Sequence, residues 1–241
     1  IIDAFDAVMV ARGDLGVEVP LERVPLIQKK VIDKATQAGK PVIIATQILD
    51  SMTDRPTPTR AEVSDIANAI LDGADALMVT GETAMGKFPE KVIQVLTRVI
   101  EETESAINYK DYYIARGNKH LNTAQAISHA ACSIAYDQDI KILITMTHSG
   151  STARMVSRYR PAARIIAMTP IRKISRQLSI VWGIMPIVIN EYNLSNEIQD
   201  VVNVVLSREK IIKENEKYVV TGGVPVGVPG TTNYVSVFEF A

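Results

Sequence analysis

The sequence is poor in three features that each mark a class of protein: it has 1 cysteine, a formal net charge of -1 and no long apolar run. With Cys132 as the only thiol, no disulfide forms within the chain, which fits a reducing compartment. This cysteine lies in an apolar pattern of helical period, which favours a buried, unreactive thiol over a nucleophile. The near balance of charge removes any whole-chain reason to expect nucleic acid as a partner.

The signals for membrane insertion and secretion are also missing. No apolar stretch approaches the roughly 20 residues that a helix needs to span a bilayer, and the first residues show no basic segment followed by an apolar one. We therefore expect a cytoplasmic protein without a membrane partner. The chain begins without methionine and enters a strand pattern at once, from which we expect that it was cut from something longer.

The sequence is rich in apolar residues, which make up 47% of the total. They form short runs that alternate with longer stretches of helical period, which predicts parallel strands joined by helices, an α/β fold. In the first part we predict strands at 7–11, 40–47 and 74–81 and helices at 21–38, 59–72 and 89–107. In the second part we predict helices at 124–136, 151–159, 171–182 and 195–213 and strands at 141–147, 163–169 and 184–190.

Local signals mark the ends of these elements. Gly39 and Gly73 follow predicted helices, where glycine commonly ends a helix. Thr59 and Glu62 have the spacing of a capping box. The polar residues 108–123 are the best linker candidate. Residues 217–240 predict two strands around a loop rich in glycine and proline, a hairpin at the edge of an otherwise parallel sheet.

Polar clusters follow all three predicted strands of the first part. They are RGD at 12–14, TQ at 46–47 and TGET at 80–83. The carboxyl ends of parallel strands share one edge, where α/β proteins bind ligands, so the clusters predict one site built from three loops. For any single cluster, a solvent-exposed loop without a function is at least as good an explanation. RGD as an adhesion ligand would require an exposed loop of a secreted protein, for which nothing in the sequence argues.

The first cluster has the chemistry to bind a carboxylate and a cation. The peptide N–H groups of Gly13 and Asp14 can bind a small anion, because glycine lets the backbone approach closely. The Asp14 side chain can ligate magnesium, although one protein carboxylate with one substrate oxygen is an incomplete ligand set. No cluster of histidine and cysteine supports zinc.

The second part contains THSGST at 147–152, placed between a predicted strand and a predicted helix. Hydroxyls, a glycine and free N–H groups at the start of a helix can bind phosphate, although serine and threonine are also ordinary helix caps. The candidate residues are Thr147, His148, Ser149, Gly150, Ser151 and Thr152. His148 would strengthen phosphate binding as the pH falls. Arg154 and Arg158 can add charge, but a solvated face is favoured for at least one of them.

At this point several motifs in combination resemble the pyruvate kinase family over the whole chain. They are MVARGDLGVEVP at 9–20, KPVIIATQILDSM at 40–52, PTPTRAEVSDIANAILDGADALMVTGETAMGKFP at 56–89 and GVPVGVPGTTN at 223–233. The resemblance implies that residues 1–108 form the last three βα units of a catalytic (β/α)8 barrel. It implies that residues 109–241 form a C-terminal, mostly parallel, three-layer α/β domain for effector binding and assembly.

The resemblance also implies an activity. Pyruvate kinases transfer phosphoryl from phosphoenolpyruvate to ADP, giving pyruvate and ATP in glycolysis, with Mg²⁺ or Mn²⁺ and commonly K⁺, as homotetramers. On that basis the N–H groups of Gly13 and Asp14 would bind the substrate carboxylate, and Asp14 would ligate the metal. Thr46 would contact the substrate and, with Thr80 and Glu82, belong to the network that protonates the enolate. Many relatives have serine at the position of Thr80, and either hydroxyl can relay a proton.

The resemblance places other catalytic groups on barrel strands that these 241 residues do not contain. They are the phosphate-binding arginine, the potassium ligands, a catalytic lysine and a second magnesium carboxylate. We therefore expect the chain alone to be inactive, and we expect it to self-associate to cover open edges. The alternative is an isolated effector-binding and subunit-assembly fragment without catalysis. The effector is left open between a sugar phosphate and a nucleotide monophosphate, because His148 stands where some relatives have lysine.

Overall fold

The computed structural model describes residues 1–115, 122–191, 198–225, 228 and 230–240. The chain divides into two compact units, Ile1–Ile107 and Asn108–Ala241. Among the described helices, none is both long enough and apolar enough to cross a bilayer. Both units combine parallel strands with helices, which confirms the predicted α/β class.

The first unit is built on a parallel sheet with the strand order β1-β2-β3. Its strands are β1 Val8–Ala11, β2 Val42–Ala45 and β3 Ala76–Met78. Its helices are α1 Arg12–Glu18, α2 Val24–Gln37, α3 Arg60–Asp72, α4 Gly81–Ala84 and α5 Pro89–Ser105, with 3-10 turns at Ile2–Ala4, Leu21–Arg23 and Asp50–Thr53. Val10 lies opposite Ile44, and Ile44 lies opposite Leu77, so the three carboxyl ends are in register at one edge.

Helix α1 is a feature that the sequence pattern did not predict. Its residues include Gly13 and Gly16, which are poor helix formers, so the segment was predicted to be a turn. The helix ends before Val19, whose extended backbone is the conformation that a following proline favours. The predicted helix 21–38 begins with a 3-10 turn, and α2 then starts with Pro25 in its first turn, where proline is well tolerated.

The predicted ends of α3 are confirmed. Thr59 Oγ1 accepts a hydrogen bond from the backbone N–H of Glu62, and the Glu62 carboxylate accepts one from the backbone N–H of Thr59. This reciprocal pair satisfies two of the N–H groups that a helix start leaves without partners. At the other end, Gly73 has a φ of 101°, in the left-handed region that glycine enters without steric cost.

Each long helix of the first unit contributes one buried apolar face to the core. Ile32 of α2, Ile66 of α3 and Val92 of α5 are completely buried, as is Ile44 of the central strand. Burying an aliphatic side chain of this size stabilises a fold by about 1.5–3 kcal/mol. The core therefore holds the strand ends in place relative to the helices that follow them.

The second unit contains a five-stranded sheet with the order β6-β5-β4-β7-β8. Its strands are β4 Ile142–Met146, β5 Arg164–Thr169, β6 Ile184–Val188, β7 Lys217–Gly223 and β8 Thr232–Glu239. Its helices are α6 Tyr109–Ala115, α7 Thr123–Asp137, α8 Ser151–Ser157, α9 Arg172–Leu178 and α10 Ile198–Arg208. The pairs are parallel except β7 with β8, which are antiparallel, so the predicted edge hairpin is confirmed.

This unit has the predicted three layers. Ile142 and Ile144 of β4 belong to the same apolar cluster as Val202 of α10. Leu143, between them in sequence, belongs to the cluster that contains Ala131 of α7. Successive side chains of a strand point to opposite faces of the sheet, so α10 covers one face and α7 the other.

Three predictions for this part of the chain were wrong or only partly testable. The linker candidate 108–123 contains α6. Tyr109 and Tyr113, four residues apart on one face of this helix, pack against the rings of Trp182 and His129. Residues 116–121 of the candidate lie outside the described ones. The predicted helix 171–182 ends at Leu178. The predicted helix 195–213 is described from Ile198 and ends at Arg208, two residues before Lys210 with its left-handed φ of 52°.

Candidate functional site

The loops that follow β1 and β2 are joined by a hydrogen bond at the carboxyl edge of the first sheet. The backbone N–H of Gly13 donates to Thr46 Oγ1 at 2.9 Å. Thr46 is half-buried and Gly13 is exposed, so the contact lies at the surface of this edge. The structure thus brings together two residues that the sequence pattern predicts to share one site.

Arg12 adds further contacts between the same two loops. Its guanidinium donates to the carbonyl oxygen of Thr46, from Nε at 3.2 Å and from Nη2 at 2.9 Å, and to that of Gln47 at 2.8 Å. It also forms an ion pair with Asp65 of α3. Thr46 and Gln47 have φ values of 69° and 54°, a left-handed backbone that is uncommon outside glycine.

Glu82 connects the second loop to the third. Its side chain is buried, with 3% of the residue exposed. One carboxylate oxygen accepts the backbone N–H of Leu49 at 3.2 Å, and the other accepts that of Thr80 at 2.8 Å. The carboxylate therefore holds the positions of both loops, while Thr80 itself is exposed.

Asp14 is exposed on α1, and it lines an apolar groove of about 780 Å³ beside β1, which is an edge strand in the described part of the chain. Within the described ranges, no group of three or more histidine, cysteine, aspartate or glutamate residues is placed to hold a metal ion. Asp14 can give one oxygen ligand, which is fewer than a magnesium ion takes from protein and substrate together. The residues present therefore do not by themselves complete a metal site.

In the second unit, the loop before α8 is held by its own hydroxyl groups. Thr147 Oγ1 accepts the backbone N–H of Gly150 at 2.9 Å, and Ser149 Oγ accepts that of Ser151 at 3.4 Å. Gly150 has a φ of 78°, and an added Cβ would lie 2.8 Å from Nη1 of Arg154. Glycine is therefore favoured at this position chiefly by the left-handed backbone, since the end of the Arg154 side chain can move aside.

The same loop borders the connection between β7 and β8. Thr152 Oγ1 and Thr232 Oγ1 are 2.7 Å apart, and Thr147, His148 and Ser149 line a cavity of about 20 Å³ with Gly223 and Thr231. A cavity of that volume accommodates about one water molecule. A phosphate would have to open it and exchange with the hydrogen bonds inside the loop.

The two arginines of α8 and its C-cap differ in exposure. Arg158 is 6% exposed, and its guanidinium lies over the ring of Tyr159, 5.1 Å from the centroid. Arg154 is half-buried and donates from Nη2 to the carbonyl oxygen of Ser149 at 3.0 Å. Arg158 is therefore not on a solvated face, while Arg154 keeps part of its surface exposed.

The roles of Arg12 and Glu62 do not follow from the sequence pattern. The acceptors of Arg12 lie 34 to 53 residues away in the chain, so its sequence position shows only a charge directly after an apolar strand. The spacing of Glu62 indicates a helix cap, but its carboxylate also accepts the N–H and the Oγ–H of Ser51.

Polar loops joined at the carboxyl ends of parallel strands, with helices between the strands, define the first unit as a parallel α/β protein, the class that includes (β/α) barrels. Comparison with known families agrees with that class. Residues 1–93 match the family described as pyruvate kinase, barrel domain, and residues 125–238 match pyruvate kinase, alpha/beta domain. The chain belongs to the pyruvate kinase family, as the motif resemblance indicated.

Individual relatives give the same result. The chain is 46% identical over 238 residues to a pyruvate kinase of Clostridium acetobutylicum, covering 98% of this chain and 50% of that protein. It is 44% identical to one of Geobacillus stearothermophilus, of which it covers 40%. The crystal structure of a pyruvate kinase from Cryptosporidium parvum superposes with a TM-score of 0.92 at 37% identity, covering 100% of this chain and 48% of that one. The chain thus spans about half the length of these relatives or less.

Proposed function

We propose that this chain supplies the substrate-carboxylate side of a pyruvate kinase active site. The reaction transfers the phosphoryl group of phosphoenolpyruvate to ADP and protonates the resulting enolate to give pyruvate. The observation that carries the proposal is the hydrogen bond from Gly13 to Thr46, which joins the RGD and TQ loops at the carboxyl edge of the sheet. Active sites of (β/α) barrels are built from loops at that edge.

In this proposal the N–H groups of Gly13 and Asp14 bind the substrate carboxylate. The Gly13 N–H donates to Thr46 Oγ1 in this structure, so a bound carboxylate shares or replaces that acceptor. Because Thr46 Oγ1 accepts this bond, its own proton remains to donate toward the substrate. Thr80 and Glu82 complete the proposed proton network, with the Glu82 carboxylate held by two backbone N–H groups.

Cofactors and assembly are proposed from the family alone. When bound, Mg²⁺ or Mn²⁺ neutralises charge on the transferring phosphoryl group, and K⁺ accompanies it. Asp14 offers one ligand to the divalent cation, and the others come from outside these 241 residues. We further propose a homotetrameric, cytoplasmic protein that uses ADP and ATP.

A chimera tests the proposal directly. The part of the Clostridium acetobutylicum pyruvate kinase that precedes the matched region is joined to this chain, and pyruvate formation from phosphoenolpyruvate and ADP is measured. We expect the chimera to be active and the 241-residue chain alone to be inactive, because phosphoryl transfer depends on positioned charges that the chain lacks.

Variants of the chimera test the site. Thr46→Val should lower kcat by about 100-fold or more, which is the scale of one proton-transfer group. Thr46→Ser keeps the hydroxyl and serves as the matched control, with activity near that of the unaltered chimera. A folded but inactive chimera, or a Thr46→Val variant with full activity, would contradict the proposal. Robust activity of the 241-residue chain alone would contradict the expectation that catalysis needs groups that this chain does not contain.

The second unit supports a separate binding proposal. We propose that residues 147–152 bind the phosphate of an effector, because hydroxyl and N–H groups converge there beside the β7–β8 connection. Calorimetric titration with a sugar bisphosphate, a sugar monophosphate and a nucleotide monophosphate distinguishes the candidates. If none of them binds, the hydroxyls of this loop act only as a helix cap, and the alternative of an effector-binding fragment is wrong.

A further inference from the structure

We propose that Arg12 is a positioning residue for the proton-transfer step, acting through Thr46. The proposal rests on the proposed function, since it assigns Thr46 to the same reaction. Only 10% of the Arg12 side chain is exposed, and its guanidinium points at protein groups of its own unit. Its influence on a substrate is therefore indirect.

The guanidinium is almost fully used by these contacts. Arginine has five N–H donors in a planar fork, and four of them bond here: Nε, both hydrogens of Nη2 and one of Nη1. Their acceptors are the carbonyl oxygens of Thr46 and Gln47 and the carboxylate of Asp65. Asp65 lies on α3, so this helix holds one side of the guanidinium while the other side holds the loop after β2.

The loop needs such support because its backbone is in an unfavourable region. Thr46 and Gln47 are consecutive residues with left-handed φ values of 69° and 54°. Conformations of this kind persist in residues other than glycine only when surrounding contacts hold them, and they occur often at functional sites. Arg12 contacts both carbonyl oxygens of this pair, which makes it the contact best placed to maintain the turn.

The backbone support extends to the hydroxyl. Gly13 follows Arg12 directly and donates its N–H to Thr46 Oγ1 at 2.9 Å. Arg12 therefore fixes the main chain of Thr46 while the next residue fixes its side chain. A shift of the Thr46 carbonyl would move the hydroxyl with it, and a displacement of about 1 Å at a reacting group can cost 100-fold in rate.

The proton step can be observed apart from phosphoryl transfer by running it in reverse. A C–H bond of the pyruvate methyl group breaks, its electron pair forms the enolate, and the proton passes through the hydroxyl network to solvent. In deuterated water a deuteron returns by the same route and forms a C–D bond. Loss of the methyl proton signal by nuclear magnetic resonance measures this exchange.

The experiment compares variants of the chimera in this exchange and in steady-state kinetics. Arg12→Lys keeps the charge but loses the planar fork that reaches two carbonyls and a carboxylate. We expect exchange and kcat to fall about 10- to 100-fold, with a smaller change in KM for phosphoenolpyruvate. Arg55→Lys, at an exposed arginine in the loop after β2, is the matched control and should leave both unchanged. Asp65→Asn removes the ion pair that holds the Arg12 guanidinium from the helix side. It serves if Arg12→Lys does not fold, and exchange and kcat should then fall in the same direction by a smaller factor.

A double variant separates positioning from a general structural role. In a Thr46→Val background the substitution Arg12→Lys should have little further effect on exchange, because the group that Arg12 positions is already gone. If Arg12→Lys lowers exchange equally in the unaltered and the Thr46→Val backgrounds, or does not lower it at all, the positioning role of Arg12 is overturned and the proposed function is not affected. An unaltered chimera that neither forms pyruvate nor exchanges its methyl protons overturns the proposed function and this role with it.

Discussion

Gly13 is a residue that the fold itself does not require to be glycine. An added Cβ would meet Thr46 Oγ1 at 3.7 Å, an ordinary contact, and Gly13 lies in the first turn of α1. Gly86 is different, because a Cβ there would lie 2.2 Å from the carbonyl oxygen of Glu82. Packing therefore leaves room beside Gly13, whereas the carbonyl oxygen of Glu82 excludes a side chain at Gly86.

We predict opposite effects for alanine at these two positions. Gly13→Ala should leave the free energy of unfolding unchanged or raise it by up to about 1 kcal/mol, because glycine is costly within a helix. Gly86→Ala should lower it by about 1–3 kcal/mol through overpacking. Urea denaturation of the chain measures both.

Gly13→Ala should nevertheless damage substrate binding. The new methyl group would stand beside the N–H that we propose to bind the substrate carboxylate, so the KM of the chimera for phosphoenolpyruvate should rise. Steady-state kinetics measure this change. An unaltered KM in a folded variant would show that the carboxylate does not bind at Gly13.

At the scale of elements, Glu62 connects a 3-10 turn to the start of α3. Its carboxylate accepts hydrogen bonds from the N–H and Oγ–H of Ser51 at 2.8 and 2.6 Å, and from the same two groups of Thr59 at 2.7 and 2.8 Å. Burial raises the pKa of this carboxyl, but the hydrogen bonds from Ser51 and Thr59 outweigh burial, so its pKa lies below the ordinary 4.5. The ionised form therefore favours the folded state.

Glu62→Gln should lower the free energy of unfolding at neutral pH by about 1–2 kcal/mol, which is below the full scale of hydrogen bonds to a charged group because solvent screens this carboxylate and the amide can still accept hydrogen bonds. A lowered pKa in the folded state contributes stability above the ordinary value of 4.5, and that contribution is lost as the pH falls through the lowered pKa. The difference from the unaltered chain should accordingly shrink in acid.

Urea denaturation across a pH series from neutral to below 4.5 measures the effect. Glu101→Gln, on the exposed face of α5, is the control and should show no such dependence. A difference that stays constant through the acid range would mean that the hydrogen bonds of Glu62 do not depend on its charge.

At the scale of the whole molecule, β1 is an edge strand of the first sheet among the residues that the structure describes, and it lies beside an apolar surface. The groove next to β1 is lined by Ile2, Val8, Val10, Ile27 and Val31 among others, and Met9 is 51% exposed there. A free strand edge with apolar surroundings is a common site of association. We therefore predict that the chain forms oligomers at micromolar concentration.

Light scattering tests this prediction. Met9→Lys places a charge at the groove and should shift the distribution toward monomer, because burying an unpaired charge is costly. Leu71→Lys on α3, away from the groove, is the matched control for the added charge. A monodisperse monomer of the unaltered chain would refute the prediction.

Much of the fold was predictable because its signals are local. The alternation of apolar runs with helical periods located the strands, and the spacing of Thr59, Glu62 and Gly73 located both ends of α3. Helix α1 was missed because its glycines are weak helix formers, and α6 because its stability comes from aromatic contacts with other elements. Both misses arise where tertiary packing overrides local preference.

The sequence by itself determined the class of fold, the family and the residues that follow each strand, since these depend on short patterns and on motifs read in order. Only the tertiary structure decided which of their atoms meet. Gly13 contacts Thr46 across 33 positions and Arg12 contacts Asp65 across 53. Such contacts form only after parallel strands have aligned in one register, because the register brings distant loops to the same edge of the sheet.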